Sequence, residues 1–374
     1  MSNLVQKINN SAVMDGTYLP TLDGWRAIAI IIVIFAHSYD SISNILGKVG
    51  INFDYDCIKH AGLFGVQIFF GLSGLLITSR LIASENKYGR ISLKSFYIRR
   101  TFRILPPALV FLVVIGILAL FGIIPITLGR WTSSLLFFAN YSTAKGTWYL
   151  GHFWSLAVEE HFYMIWPAVF LILKVTKKRV IFAITIALLL AFWRALDFKF
   201  HITGATPSMF WGRTDIQGDN ILWGVVVALL YADSVWKARL NKFLKLPTIL
   251  PSFIIFTISV AALPSPGWKL AFILLTIKAI VIPLMILATL INNSSILSYM
   301  LETPIFRLIG RLSYSIYLWQ QLFLVWNKSS IQSFGILQSL PFNIIAVFAC
   351  AILSFLFIEK PLIAIGHRIA IKVI

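Results

Sequence analysis

The chain has 374 residues, of which 59% are hydrophobic, 14% are aromatic and only 12% are charged. The charged share is about half that of an ordinary soluble domain, so a soluble protein of this length would lack the charges to cover its surface. The apolar residues also cluster in runs of roughly 17–24, the length that crosses a bilayer as a helix. The composition excludes a soluble enzyme, a disordered chain and a disulfide scaffold, and it predicts a polytopic membrane protein.

The net charge of +18 does not indicate a nucleic-acid partner. Lysine and arginine lie in short loops between apolar runs rather than on one soluble face. Cys57 and Cys350 form no metal motif, and a bridge between them is not expected because Cys350 lies inside an apolar run. We therefore expect the lipid bilayer as a partner, no nucleic acid and no metal.

The apolar runs predict an all-α fold, a polytopic membrane bundle of about ten transmembrane helices. The runs cover residues 25–40, 62–83, 103–124, 150–173, 180–196, 216–232, 248–264, 271–291, 307–326 and 338–358. No internal repeat and no long linker divides the chain. We predict one membrane domain over residues 23–366, an N-terminal segment over 1–22 and a C-terminal tail over 367–374.

Basic residues concentrate in the loops that follow the second, fourth and sixth runs. They are Lys87, Arg90, Lys94, Arg99, Arg100 and Arg103, then Lys174, Lys177, Lys178 and Arg179, then Lys237, Arg239, Lys242 and Lys245. The first loop carries Asp40, Asp54 and Asp56 instead. The positive-inside rule places the even-numbered loops in the cytoplasm. With ten spans, both termini are then expected to be cytoplasmic as well.

The first run contains two ionisable residues, Arg26 and His37. They are eleven residues apart, which is within about 20° of whole helical turns, so both lie on one face and roughly 16 Å apart. Ionisable residues inside a span are costly and indicate a functional site. The structural alternative is an arginine at the membrane edge and a histidine hydrogen-bonded within the bundle.

A polar stripe follows one face of the fourth run, at helical i, i+3 and i+4 steps. It consists of His152, Ser155, Glu159, Tyr163 and Trp166. Glu159 lies roughly 10 Å below the outer surface, close to the depth of His37. A carboxylate beside an imidazole orients a general base, so we predict this role for Glu159, with a buried structural ion pair as the alternative. Glu160 either shares the role or pairs with an arginine.

Arg99, Arg100 and Arg103 are helical neighbours after the second run and predict a cationic patch at the membrane edge. Guanidinium groups bind phosphate oxygens bidentately. The patch therefore predicts a site for a phosphorylated cofactor. Cytoplasmic loops are basic in any case, and anionic lipid headgroups would bind there too.

Six segments together resemble the acyltransferase-3 family of integral membrane O-acyltransferases. They are LDGWRAIAIIIVIFAH (22–37), GVQIFFGLSGLLI (65–77), RRTFRILPP (99–107), HFWSLAVEEHFYMIWP (152–167), LSYSIYLW (312–319) and IEKPL (358–362). They occur in the family's order and run almost from end to end. The resemblance implies transfer of acetyl or another short acyl group, generally from acyl-coenzyme A, to sugars and related acceptors across the membrane.

Through the family's motifs the resemblance implies roles for Arg26, His37, Arg100, Arg103, Glu159 and Glu160, and it matches Asp219 to a family aspartate. Arg99, Ser73, His152, Ser155 and Tyr163 are candidates because of their positions in the sequence. The catalytic candidates are His37, Glu159 and Glu160; the donor-binding candidates are Arg26, Arg99, Arg100 and Arg103; the substrate-binding candidates are Ser73, His152, Ser155, Tyr163 and Asp219. Two departures from the family pattern lie within apolar runs. Gln320 stands where histidine is common, and Gln217 stands where arginine is often found. Both departures concern contacts on the acceptor side.

These observations predict an O-acyltransferase, in first place an acetyltransferase, in the bacterial cytoplasmic membrane. We expect acyl-CoA, in particular acetyl-CoA, as donor co-substrate, no permanently bound cofactor, and an extracytoplasmic glycan or glycolipid such as lipopolysaccharide O-antigen as acceptor. His37 acts either as general base or as a transient acyl carrier. The sequence shows no fused soluble domain of the kind many relatives carry, so direct transfer or a separate partner is expected. The rival function is a proton-coupled transporter that uses His37 and Glu159.

Overall fold

The computed structural model describes residues 19–39, 42–43, 55–142, 148–205, 212–245, 247–262, 268–292, 295–325 and 334–373. These residues form helices and no strand, so the predicted all-α class is confirmed. Most of the predicted N-terminal segment, Asp40, Asp54 and the side chains of Asp56 and Cys57 lie outside the described residues. The predicted domain boundaries stay predictions.

Fourteen α-helices follow one another along the described residues. They are α1 (Pro20–His37), α2 (Tyr55–Tyr88), α3 (Leu93–Leu120), α4 (Leu128–Leu135), α5 (Phe153–Ile172), α6 (Thr176–Phe200), α7 (Thr214–Ala232), α8 (Ser234–Leu244), α9 (Ile249–Ala262), α10 (Trp268–Ile291), α11 (Ile296–Leu301), α12 (Pro304–Phe323), α13 (Phe342–Ser354) and α14 (Lys360–Ile371). Short 3-10 turns cover Trp148–Leu150 and Gly335–Gln338, and a π-helical turn, Phe355–Glu359, joins α13 to α14.

Within the described residues, six helices are long and apolar enough to cross a membrane, or up to seven if α7 and α8 form one span bent by 109°. The chain is thus a multi-pass membrane protein, but the predicted number of about ten spans is not confirmed. Helices α5 and α12 coincide with predicted spans yet carry several polar residues, which lowers their hydropathy. Helix α9 has only 14 residues, which is short for a bilayer.

The chain divides into two compact units. The first contains Met1–Ala29, Phe64–Ile91 and His161–Gly310, and the second contains Ile30–Leu63, Ser92–Glu160 and Arg311–Ile374. In the first unit α7 packs against α6 and α10. In the second unit α3 packs against α14.

Glycines in the first unit allow α2 and α7 to touch through their backbones. A Cβ on Gly224 would lie 2.5 Å from the carbonyl oxygen of Gly71 and 2.9 Å from the backbone nitrogen of Leu75. A Cβ on Gly74 would collide with the carbonyl oxygen of Ile221. Small residues are the usual means of close helix approach in membranes, where packing replaces the hydrophobic effect.

We expect Gly224→Ala to lower the thermal stability of the detergent-solubilised protein, by about 1–3 kcal/mol, because the new methyl group meets backbone atoms that must shift. Gly218→Ala on the same helix is the matched control, since its Cβ meets only the flexible Leu190 side chain, at 3.1 Å. Alanine also favours the helix over glycine, so this control should be neutral or stabilising. Equal stability of the two variants would contradict the close packing.

In the second unit the start of α3 is tied to the end of α14. Ser92 Oγ donates to the carbonyl oxygen of Val373 at 2.9 Å, and Ser95 Oγ donates to that of Ala370 at 2.9 Å. Ser92 is also the N-cap of α3 and accepts from the Ser95 backbone amide. The arginine motif in the first turns of α3 therefore lies near the C-terminal helix.

Candidate functional site

His37 is the last residue of α1 and is partly buried in the second unit. Its Nδ1 lies 3.1 Å from Oε1 of Gln320 on α12, and its ring packs edge-on against Trp148 with centroids 5.2 Å apart. A carbonyl oxygen only accepts, so we assign the proton to Nδ1, which leaves the Nε2 lone pair as a hydrogen-bond acceptor. With this assignment, the amide of Gln320 favours the tautomer of His37 in which Nε2 carries no proton.

A second imidazole, His152, lies just before α5 in the same unit. Gln321, the neighbour of Gln320, accepts from the backbone amide of His152 at 2.9 Å and lies 2.6 Å from its Nδ1. The two imidazoles are close enough to interact electrostatically. Two consecutive glutamines of α12 therefore hold the two histidines of the site.

The polar stripe of α5 continues at Ser155, whose hydroxyl lies 2.5 Å from the hydroxyl of Tyr317 on α12. Glu159, one turn further, interacts electrostatically with the same tyrosine. The hydrogen bond described for His37 Nδ1 is made to Gln320, and the predicted pairing of Glu159 with His37 stays a prediction. In the second unit, His152 and Ser155 are the stripe residues with described hydrogen bonds to α12.

The three arginines that the predicted donor site has on α3 each lie near a carboxylate or hydroxyl of the second unit. Arg99 donates to Ser95 Oγ at 2.6 Å. Arg100 interacts electrostatically with Glu160, and Arg103 with Glu359. The Glu160 side chain is thus near an arginine. Whether it pairs with that arginine or shares the role of Glu159 stays a prediction. These carboxylates offset part of the positive charge of the guanidinium groups.

Four predicted site residues lie in the first unit instead. Arg26 forms an ion pair with Asp23 at 2.7 Å, one helical turn away on α1. Ser73 Oγ lies 2.9 Å from the Tyr163 hydroxyl, so this serine bonds a neighbouring helix. The fourth residue, Asp219, belongs to a buried ion pair. Their predicted roles stay predictions.

Asp219 on α7 binds Arg194 on α6, and both side chains are buried. Arg194 Nη1 lies 2.8 Å from each carboxylate oxygen, with side-chain exposures of 2% and 0%. Gln217, the residue that stands where the family often has arginine, accepts from Gln67 at 3.3 Å and from Asn220 at 3.1 Å. In this chain the cation beside Asp219 comes from α6.

Sequence reasoning missed three residues of the site, Gln321, Glu359 and Arg130, and it noted Gln320 as a departure from the family pattern without a role in holding His37. The adjacent glutamines inside an apolar run were a usable signal, because buried amides need partners. Arg130 donates to the carbonyl oxygens of Ala139 at 2.8 Å and Leu150 at 3.3 Å. Burial lowers the pKa of Arg130 from its usual value. Arg130 also interacts electrostatically with His152, and no local sequence pattern predicts this interaction.

Comparison with known proteins gives one family match and several curated relatives. Residues 19–359 match the family model described as an acyltransferase domain. The peptidoglycan O-acetyltransferase OatA of Listeria monocytogenes is 29% identical over 92% of this chain and 56% of its own length. A Bacillus subtilis protein, provisionally named a peptidoglycan O-acetyltransferase, is 28% identical over 94% of this chain and 56% of its own length.

A third relative, from Staphylococcus aureus and provisionally named an O-acetyltransferase, is 30% identical over 81% of this chain and 50% of its own length. The chain thus spans about half the length of the curated relatives it matches. No solved structure matches it.

Proposed function

The chain belongs to the acyltransferase family whose model matches residues 19–359, and on this premise we propose that it is a membrane O-acetyltransferase of a cell-envelope glycan. The observation that carries the proposal is the hydrogen bond between His37 Nδ1 and Gln320 Oε1. It leaves His37 Nε2 free of a proton, as a general base for a hydroxyl group requires.

In the proposed reaction, His37 Nε2 removes the proton of an acceptor hydroxyl. The hydroxyl oxygen attacks the carbonyl carbon of an acetyl thioester, the new C–O bond forms, and the C–S bond breaks. The imidazolium then gives its proton to the departing thiolate. We propose the general-base route as the working mechanism, while an acyl-histidine intermediate would use the same unprotonated Nε2.

The proposed donor is acetyl-CoA, bound through its phosphates at Arg100 and Arg103. Both guanidinium groups are partly exposed, and each interacts electrostatically with a carboxylate, that of Glu160 or that of Glu359. The proposed acceptor is extracytoplasmic. Two relatives are named for peptidoglycan, which supports a peptidoglycan-type glycan as first choice, with lipopolysaccharide O-antigen as second.

The test uses the protein in nanodiscs, where both membrane faces are accessible. Isotopically labelled acetyl-CoA is added with a muropeptide disaccharide, with O-antigen polysaccharide, or with no glycan, and the products are analysed by mass spectrometry. We expect an acetyl-sized mass gain on one glycan. Proton transport in liposomes together with no acetyl transfer to either glycan would instead favour the transporter.

We expect Arg100→Ala to raise the dissociation constant of acetyl-CoA about tenfold, because a charge-assisted hydrogen bond to phosphate is lost. Isothermal titration of the purified protein measures this. Lys94→Ala is the matched control, since it removes one positive charge from an exposed position of the same helix. Arg100→Lys keeps a cation beside Glu160 and should weaken donor binding less. Equal effects of Lys94→Ala and Arg100→Ala would contradict a specific phosphate site.

A further inference from the structure

His152 has a buried acceptor nitrogen that no group in the described part of the chain fills. The residue is only 1% exposed, and its Nε2 has no hydrogen-bond partner among the described residues. A buried polar atom without a partner costs about 1–3 kcal/mol. In native proteins such an atom is explained by strain, by a catalytic role, or by a bound water, ion or ligand.

Gln321 determines which nitrogen of His152 carries the proton. Its Oε1 receives the backbone N–H of His152 at 2.9 Å. A backbone amide can only donate, so the oxygen of the glutamine side chain faces His152 and its NH2 group does not. The same oxygen lies 2.6 Å from Nδ1, so Nδ1 carries the proton. In the neutral imidazole Nε2 is then an acceptor.

Aromatic side chains of the second unit hold the ring of His152 in this orientation. The ring of Phe111 packs edge-on against it with centroids 5.4 Å apart, and Tyr317 does so at 5.4 Å. Gly151 lets Gln321 approach, because a Cβ at that position would lie 3.2 Å from Oε1. The imidazole therefore offers one fixed acceptor between apolar surfaces, an arrangement common in sites for neutral ligands.

We propose that His152 Nε2 accepts a hydrogen bond from a hydroxyl group of the glycan acceptor and orients the sugar beside His37. The inference rests on the proposed function. A neutral hydroxyl is the favoured class of ligand because Nε2 needs a donor, which a phosphate or a thioester carbonyl lacks. His152 and His37 bond to the consecutive residues Gln321 and Gln320, which places this hydroxyl-binding group near the base.

Two substitutions of His152 separate substrate binding from a structural role. In His152→Asn the amide NH2 can replace Nδ1–H toward Gln321, but the Nε2 acceptor is lost. In His152→Gln the longer side chain can place an amide oxygen near the Nε2 position, while the bond to Gln321 is lost. A purely structural histidine therefore tolerates asparagine better, whereas a hydroxyl-binding histidine tolerates glutamine better.

The experiment measures acetyl transfer to the muropeptide disaccharide in nanodiscs, with acetyl-CoA binding as the check of folding. We expect His152→Asn to lower kcat/KM for the glycan about tenfold or more, the loss of one hydrogen bond, with acetyl-CoA affinity within about twofold of wild type. His152→Gln should recover part of the loss. His201→Asn is the matched control, because His201 is exposed with a φ of 51°, which asparagine tolerates.

The opposite rank order, with His152→Asn as active as wild type, would overturn the inference. Loss of acetyl-CoA binding in both variants would overturn it too, because the side chain would then serve the fold. If only His152→Asn fails to fold, the test rests on kcat/KM of His152→Gln for the glycan. A decrease larger than about a hundredfold is evidence against the inference, and a smaller decrease supports it. Failure of the wild type to acetylate either glycan would overturn the proposed function, and this inference with it.

Discussion

Replacing His37 with alanine is expected to abolish acetyl transfer while membrane insertion and acetyl-CoA binding are retained. A positioned general base contributes about 10²–10⁴-fold to a rate, so transfer should fall by at least about two orders of magnitude. His37 is partly buried at the end of α1, and its removal takes from Gln320 a hydrogen-bond partner. The cost to the fold should therefore be small.

The His37→Ala measurement combines acetyl transfer to glycan with isothermal titration of acetyl-CoA in the same nanodisc preparation. His201→Ala, at an exposed histidine of the first unit, serves as the control for histidine removal. Gln320→Leu adds a graded case, because it keeps the imidazole but removes the partner of Nδ1. We expect its activity to lie between that of wild type and that of His37→Ala. Substantial transfer by His37→Ala would refute the catalytic assignment.

The largest effect on stability is expected at the ion pair of Arg194 and Asp219. Arg194→Leu leaves a carboxylate that is 0% exposed without its guanidinium partner. Removing one partner of a buried ion pair costs about 3–5 kcal/mol, because the remaining charge stays desolvated. The loss of unfolding free energy is measured by unfolding the purified protein in detergent with heat or with denaturant.

The matched comparison is the double variant Arg194→Leu with Asp219→Leu. Replacing both partners of a buried pair with apolar residues is often close to neutral, so the double variant should regain much of the stability that Arg194→Leu loses. Nearby polar groups, such as Asn220, which donates to Asp219 at 3.2 Å, limit the recovery. A single-variant loss below about 1 kcal/mol would show that the pair is solvated like an exposed one.

The two experiments measure different properties of the protein. The His37 variants test catalysis in the second unit, and the variants of the ion pair test the stability of the first unit. Acetyl transfer by the double variant also tests the predicted substrate-binding role of Asp219. A double variant that is stable but does not transfer acetyl groups would indicate a role beyond the fold. A stable double variant with normal transfer would limit Asp219 to the structure.

The sequence by itself determined the features that depend on neighbouring residues along one helix. Apolar runs predicted the helices, because backbone groups in a bilayer must bond within their own segment. The 3.6-residue period placed His152, Ser155 and Glu159 on one face of α5, and the structure shows the first two bonded to α12. The clustering of Arg99, Arg100 and Arg103 on α3 was equally local. The family motifs located His37.

Only the tertiary structure decided which distant residues meet. Gln320 and Gln321 reach His37 and His152 across more than 160 positions of the chain, and Arg194 on α6 supplies the cation for Asp219 on α7. Such pairs depend on helix packing, which follows from the fit of whole surfaces and not from any local period. The predicted number of about ten spans is not confirmed, because six helices of the described residues, or seven with the bent pair, are long and apolar enough to cross a membrane. Helices α5 and α12 fall outside this set because they carry polar residues, and some of these bond to neighbouring helices.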